Sequence, residues 1–253
     1  MLTDEDLLQV LNAITVTAPV RSAEVTPSTN ATAVAMAEAE EPEWTLVAAG
    51  HQTEGRGRIG RTWTDVPDEA LLFSFVLRPD LPPAKTGLLS LLAGATMADA
   101  IRATTGRRVT CKWPNDLLLR DGSKVGGILL ESSVADGAVR YVVVGVGVNL
   151  EAPEGEEGAG GIGPVPLRTL LEAFMVRFAP VYTVHDASFP VRVRNEWLPR
   201  SSTIGQVVRA GTVDGREVEG RAVGVDDFGS LLLSTDEGEA RVAFGEVEHV
   251  GTR

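Results

Sequence analysis

Residues 52–63 read QTEGRGRIGRTW, with glycine and arginine alternating at Gly55, Arg56, Gly57, Arg58, Gly60 and Arg61. Glycine admits positive φ and lets backbone amides come close to an anion. Arginine supplies permanent forked donors that match carboxylates and phosphates. Such a loop suits closure over a small molecule carrying several negative charges. The competing use of the same composition is a solvated basic loop, or an Arg/Gly tract that grips RNA phosphates. Two apolar strand-like runs, 45–49 and 71–77, place the loop inside a folded domain. The acidic remainder of the chain surrounds it with no wide basic footprint.

Three further motifs carry chemistry. KWPND at 112–116 ends a strand, and Pro114 stops ladder pairing there, so Lys112, Asn115 and Asp116 are presented together. Turn chemistry alone explains Pro-Asn-Asp; the basic loop upstream favours a shared site. KVGG at 124–127 sets Lys124 beside Gly126 and Gly127, where backbone can approach a ligand. A surface hairpin lysine is the ordinary alternative. GVGVN at 145–149 puts glycine in a β-branched strand. That predicts close approach by something flat, or tight packing against a helix at 88–101.

These motifs need elements to hold them. Ser28, Thr29 and Asn30 offer N-caps to an alanine-rich helix over 31–39. Strands are predicted at 45–49, 71–77, 109–113 and 140–150. A hairpin turns at Asp121-Gly122, between 117–119 and 125–131. Helical spacing predicts a helix over 84–105 that ends at Gly106, and a second over 167–178. Residues 1–25 lack a pattern and read as a loosely held arm. Residues 151–163, rich in Gly, Glu and Pro, read as a mobile loop. Beyond Pro199, short alternating runs at 206–209, 217–225, 231–234 and 241–247 are separated by turns at Asp214-Gly215, 227–229 and Glu237-Gly238. They predict a small β unit that docks on the larger one. The expected units are 1–200 and 201–253.

Composition sets limits. The 253 residues are 43% apolar with a formal net charge of −12. A folded core is expected, and nucleic acid or an anionic membrane surface is a poor general partner. The single cysteine, Cys111, excludes an intramolecular disulfide, and no Cys/His spacing suggests a metal site. No apolar run nears the ~20 residues that span a bilayer. The acidic start MLTDEDLLQV lacks a signal pattern, so the cytoplasm is the expected location. His51 finds no partner in the sequence and reads as pocket wall or strand end.

The order and spacing of STN at 28–30, QTEGRGRIGRTW, KWPND, KVGGIL at 124–129 and GVGVNL at 145–150 resemble biotin protein ligases. The resemblance covers residues 25–250. It implies an α+β fold with a class II synthetase-like mixed sheet flanked by helices, plus a C-terminal β-barrel of Src-homology-3 type. It implies biotin and ATP as substrates, Mg²⁺, and a biotin carboxyl carrier domain as partner. By the same resemblance, Ser28, Thr29, Asn30, Gln52, Gly55, Arg56 and Gly127 bind biotin. Arg58, Arg61, Trp63, Asn115, Lys124 and Asn149 bind nucleotide, with Trp63 against adenine. Lys124 and Arg58 stabilise charge. Asp116 is the candidate to receive or orient the proton of the acceptor lysine; binding Mg²⁺ or only shaping the turn are its alternative uses. The 151–163 loop orders over adenine. Many relatives carry an N-terminal DNA-binding unit, for which few residues precede position 28; a ligase without repressor role is expected. Metal ligands and the choice between monomer and homodimer are not encoded in these motifs. A lipoate or octanoate ligase or transferase, or a non-catalytic biotin or nucleotide sensor, are the rival readings.

Overall fold

The computed structural model describes residues 1–212, 217–243 and 245–250. In chain order the elements of the larger unit are α1 (Asp4–Ala13), β1 (Val20–Thr26), α2 (Thr29–Glu38), β2 (Leu46–Gln52), β3 (Ala70–Leu77), α3 (Gly87–Thr105), β4 (Thr110–Lys112), β5 (Asp116–Leu118), β6 (Lys124–Ala135), β7 (Ala138–Asn149), α4 (Leu167–Val181) and α5 (Phe189–Trp197). Seven strands form one sheet in the order β1-β2-β3-β7-β6-β5-β4. Only β1 and β2 run parallel; the other neighbours are antiparallel. This is the expected mixed sheet with flanking helices.

Strand alternation sorts the two faces. Leu71, Phe73, Phe75 and Leu77 of β3, with Val142, Val144, Val146 and Val148 of β7, point into the main core. There they meet α1, α3, α4 and α5. Phe73, Phe75, Phe174 and Phe178 form edge-on and stacked pairs 5.2–6.1 Å apart between β3 and α4. The opposite face is small: Val47, Val76, Tyr141 and Val143 pack on Ala33 and Ala37 of α2. Gly145 and Gly147 alternate with the core valines, so they belong to the α2 face and not to the α3 face. The expectation of glycine packing against the 88–101 helix is therefore wrong.

Residues 1–25 are not a loose arm. Thr3 and Asp6 form a capping box that starts α1, and Leu7, Val10 and Leu11 are buried at i, i+3, i+4 spacing. Asp4 Oδ1 then accepts from the Ser22 amide at 2.6 Å, covering one donor of the edge strand β1. Helix α5 gave no sequence signal, because FPVRVRNEW alternates like a strand. Its burial of Phe189, Val193 and Trp197 at i, i+4, i+8 is helical. Residues 151–163 have no regular structure but are tied down. Lys124 N donates to Gly158 O at 2.7 Å, Gly160 N to Lys124 O at 2.8 Å, and Ile162 N to Asn149 O at 3.0 Å.

The C-terminal unit is a five-stranded antiparallel sheet of β8 (Val207–Thr212), β9 (Glu217–Val225), β10 (Leu231–Thr235), β11 (Gly238–Val242) and β12 (Gly245–His249), ordered β11-β10-β9-β8-β12. The Asp214-Gly215 turn lies outside the described residues. This unit grips the strand that carries KWPND. Trp113 Nε1 donates to Gly229 O at 3.0 Å, and Trp113 N to Thr203 Oγ1 at 2.9 Å, both buried.

Candidate active site

The motifs converge on the α2 face of the sheet. They line a cavity of about 390 Å³ that runs from the N-terminus of α2, across β7, β6, β5 and β4, to the C-terminal unit. Single small-molecule sites span roughly 300–1,000 Å³. Of the residues named from the sequence, Ser28, Thr29, Asn30, Gln52, Arg56, Arg58, Arg61, Trp63, Asn115, Asp116, Lys124 and Gly127 line it. Gly55 and Asn149 do not.

A polar chain, buried at Thr29, Asn30 and Ser74 and half-buried at Gln52 and Glu131, builds the inner end. Ser28 caps α2, its Oγ accepting from the Ala31 amide at 3.5 Å. Gln52 Oε1 accepts from Thr29 N at 2.7 Å and from Thr29 Oγ1 at 3.1 Å. The Ser74 hydroxyl lies 2.6 Å from its acceptor Asn30 Oδ1 and 2.8 Å from Thr29 Oγ1. Asn30 Nδ2 donates to Glu131 Oε2 at 2.9 Å, and Glu131 Oε1 pairs with Arg56 at 3.5 Å. Both ends of the Asn30 amide are thus engaged within the protein. Sequence reasoning missed Ser74 and Glu131. The signal for Ser74 was present: it is the one polar residue in ALLFSFVL. Ser74→Ala leaves Asn30 Oδ1 buried without its strongest donor. It is expected to cost about 1–3 kcal/mol, measurable as a fall in denaturant midpoint at unchanged m-value.

The Arg/Gly segment folds as a closed loop. Trp63 N donates to Gly55 O at 3.0 Å and Gly57 N to Arg61 O at 2.7 Å, with a bridge between Arg56 and Thr62. A Cβ at Gly55 would sit 2.3 Å from Trp63 O, so this glycine serves the neck of the loop. Ile59 (φ 53°) and Gly60 (φ 73°) form the tip, a conformation unfavourable for a β-branched side chain. Arg58 Nη1 donates to Asn115 Oδ1 at 3.3 Å and to Gly245 O of the C-terminal unit at 3.2 Å. The root is fixed twice. His51 Nδ1 lies 2.8 Å from Asp65 Oδ2, whose side chain is fully buried, and Thr64 Oγ1 donates to Glu156 Oε1 at 2.8 Å. His51 therefore has a partner, which only the fold brings to it.

The flat group over Gly147 of GVGVN is Trp63 itself, while Gly145 faces the Asn30 amide. A Cβ on Gly147 would come within 2.7 Å of the Trp63 indole, and one on Gly127 within 3.6 Å. Trp63 Nε1 is buried with no acceptor among the described residues. At the middle of the cavity, Lys124 Nζ lies 2.6 Å from Asp116 Oδ1. Asn115 is held by Nδ2 donating to Ile128 O at 3.0 Å. Asn149 is buried at the end of β7, and its Oδ1 has no partner among the described residues. Cys111 is buried beneath this floor, and burial pushes its thiol up to about 12, so it is protonated and inert at neutral pH.

A mixed α+β sheet that sets a basic flap, an ion-paired lysine and a glycine floor around one cavity has the form of a synthetase-like fold, with cations placed to suit a small anionic ligand. Comparison with known proteins narrows this. Residues 22–149 match the biotin/lipoate A/B protein ligase family, and residues 203–250 match the biotin protein ligase C terminal domain. The chain is 36% identical to the biotin–[acetyl-CoA-carboxylase] ligase of Paracoccus denitrificans, across 88% of this chain and 97% of that one. It is 34% identical to the bifunctional ligase/repressor BirA of Bacillus spizizenii, across 89% of this chain and 72% of that one. The biotin protein ligase from Aquifex aeolicus, solved with biotin and ATP, shares the fold with a TM-score of 0.73, at 24% identity over 91% of this chain and 97% of that one. The chain belongs to the biotin/lipoate A/B protein ligase family.

Proposed function

We propose that the protein activates biotin with ATP to biotinyl-5′-AMP and transfers biotin to one lysine of a biotin carboxyl carrier domain. The observation that carries this reading is the meeting of the basic flap, KWPND, KVGG and GVGVN on one cavity. The identity to the Paracoccus ligase across almost all of that protein supports it. Joining a carboxylate to the α-phosphate brings two anions together, so fixed cations in a water-poor site must offset their repulsion.

In this reading Ser28, Thr29 and Gln52 face the biotin head group, Asn30 and Gly127 shape its pocket, and Gly55 and Arg56 set the flap beside it. Arg58 and Arg61 fold over the phosphate, Trp63 covers the bound ligand, and Asn115 and Asn149 meet the nucleotide. Lys124 exchanges Asp116 for the biotin carboxylate and phosphate. Asp116, released, orients the incoming amine. The C-terminal unit, 201–253, braces the catalytic unit, 1–200, through Trp113 and Gly245.

Mg²⁺ fits this site as a companion of the nucleotide. Among the described residues no three His, Cys, Asp or Glu gather as a dedicated cage. Magnesium on a triphosphate needs only one or two protein carboxylates, and Asp116 is a carboxylate on the cavity wall. When bound it supplies charge neutralisation on the phosphates.

The partner is a carboxylase carrier domain. With a net charge of −12 the protein is read as a ligase without a DNA-binding role. No described helix is long and apolar enough to cross a membrane, and the cytoplasm is the location proposed for the protein. The test supplies biotin, ATP and a carrier domain and looks by mass for biotin on the carrier. Transfer is expected. Pyrophosphate release without transfer limits the protein to the first step, and no release favours a sensor. In a parallel reaction that supplies lipoate or octanoate with its own carrier domain, transfer of that acid in place of biotin favours the rival ligase.

A further inference from the structure

We propose that Lys112 holds the β- and γ-phosphates of the nucleotide and the pyrophosphate that leaves. This rests on the ligase reading above. In the activation step a carboxylate oxygen bonds to the α-phosphorus, and the bond from that phosphorus to the bridging oxygen breaks. The electron pair departs with pyrophosphate, so negative charge accumulates on the β-phosphate side. A cation fixed there stabilises the transition state more than the ground state.

The cations around the cavity are mostly committed. Arg56 pairs with Glu131, Lys124 with Asp116, and Arg209 with Glu219 at 3.0 Å. Arg58 bonds Asn115 and the Gly245 carbonyl. Lys112 lines the same cavity and, among the described residues, has no ion-pair partner.

Its place in the sheet suits the role. Lys112 on β4 is the register partner of Asp116 on β5, and antiparallel partners share a face. Asp116 binds Lys124 on β6, which lies two to three residues along the strand from Gly127, the register partner of Asp116, so the two lysines stand roughly 12–14 Å apart at the backbone. Two lysine side chains converging from that spacing can span a chain of phosphates that begins at Lys124. The backbone around Lys112 is fixed. Cys111 O accepts from Ser202 N at 2.9 Å, and Trp113 N donates to Thr203 Oγ1 at 2.9 Å. The C-terminal unit thereby sets the height of this lysine over the cavity.

The test separates the two half-reactions. With Lys112→Gln in the full chain, kcat/KM for ATP in biotin-dependent ATP–pyrophosphate exchange is expected to fall about 10- to 100-fold, the value of one charged contact. Transfer to the carrier from chemically made biotinyl-AMP is expected to be unchanged, because that substrate carries no β-phosphate. Lys112→Arg is expected to restore most of the exchange. Unchanged exchange in Lys112→Gln overturns the proposal. So does an equal loss in both steps, which assigns Lys112 to the adenylate or to the fold. Wild-type protein that cannot use biotinyl-AMP at all overturns the ligase reading instead.

Discussion

Replacing Lys124 by alanine is expected to slow adenylate formation by about 10²–10³, the usual effect of losing a preorganised charge contact at a reacting centre. The measurement is pyrophosphate release at saturating biotin and ATP. Two effects contribute. The ammonium group no longer offsets the charge of the carboxylate and phosphate. The Asp116 carboxylate, 2.6 Å from Lys124 Nζ in the intact protein, is also left facing the anions alone. The double variant Lys124→Ala/Asp116→Asn distinguishes them. If repulsion by Asp116 causes the loss, the double variant recovers; if lost stabilisation causes it, the double variant stays slow. Transfer from made biotinyl-AMP should fall as well, since carboxyl and phosphate remain joined in that intermediate. Near-normal turnover in Lys124→Ala removes this lysine from the mechanism.

Gly145→Ala is expected to disable the site through the fold. The added methyl would lie 1.9 Å from Asn30 Oδ1 and 2.7 Å from Asn30 Cγ, so the whole amide must move. Moving it breaks the contacts to Ser74, at 2.6 Å, and to Glu131, at 2.9 Å. Each buried polar group left unpaired costs about 1–3 kcal/mol, so a loss of roughly 2–5 kcal/mol is expected in denaturant unfolding. Biotin affinity should fall with it, because Thr29 shares that chain and Ser28 caps the same helix end. Adding Asn30→Ala removes the colliding atoms. The double variant should be less destabilised than the sum of the two single changes. A Gly145→Ala protein of native stability would show that the α2 N-terminus shifts freely, and that the Asn30 post does not fix the pocket.

Strong local signals translated well into structure. The helices α3 and α4, the strands β3 and β7, the Asp121-Gly122 hairpin and the Gly106 stop follow from periodicity and turn chemistry, which act over a few residues. Where local signal was weak or misleading, helices went unread. FPVRVRNEW alternates like a strand, yet the core takes Phe189, Val193 and Trp197 as one helical stripe. The first 25 residues looked patternless, since three buried side chains in one short helix make a faint period. The 151–163 segment gave no period because it lies along β6 through a few backbone bonds rather than as an element.

The sequence by itself determined the inventory of the site. Residue type fixes which groups carry permanent charge, which can accept a proton and where backbone can approach a ligand, and this chain sets such groups in five short motifs. Tertiary structure alone decided which group meets which. Lys124 finds Asp116 across a hairpin, His51 finds Asp65 across the flap, Asn30 stands on Gly145, and Trp63 lies on Gly147. The reason is physical: contact energies fall off within a few ångströms. A charge or a ring is worth something only to the neighbour that sheet register and helix docking deliver, and those are set by burial of the whole core rather than by any local run of residues.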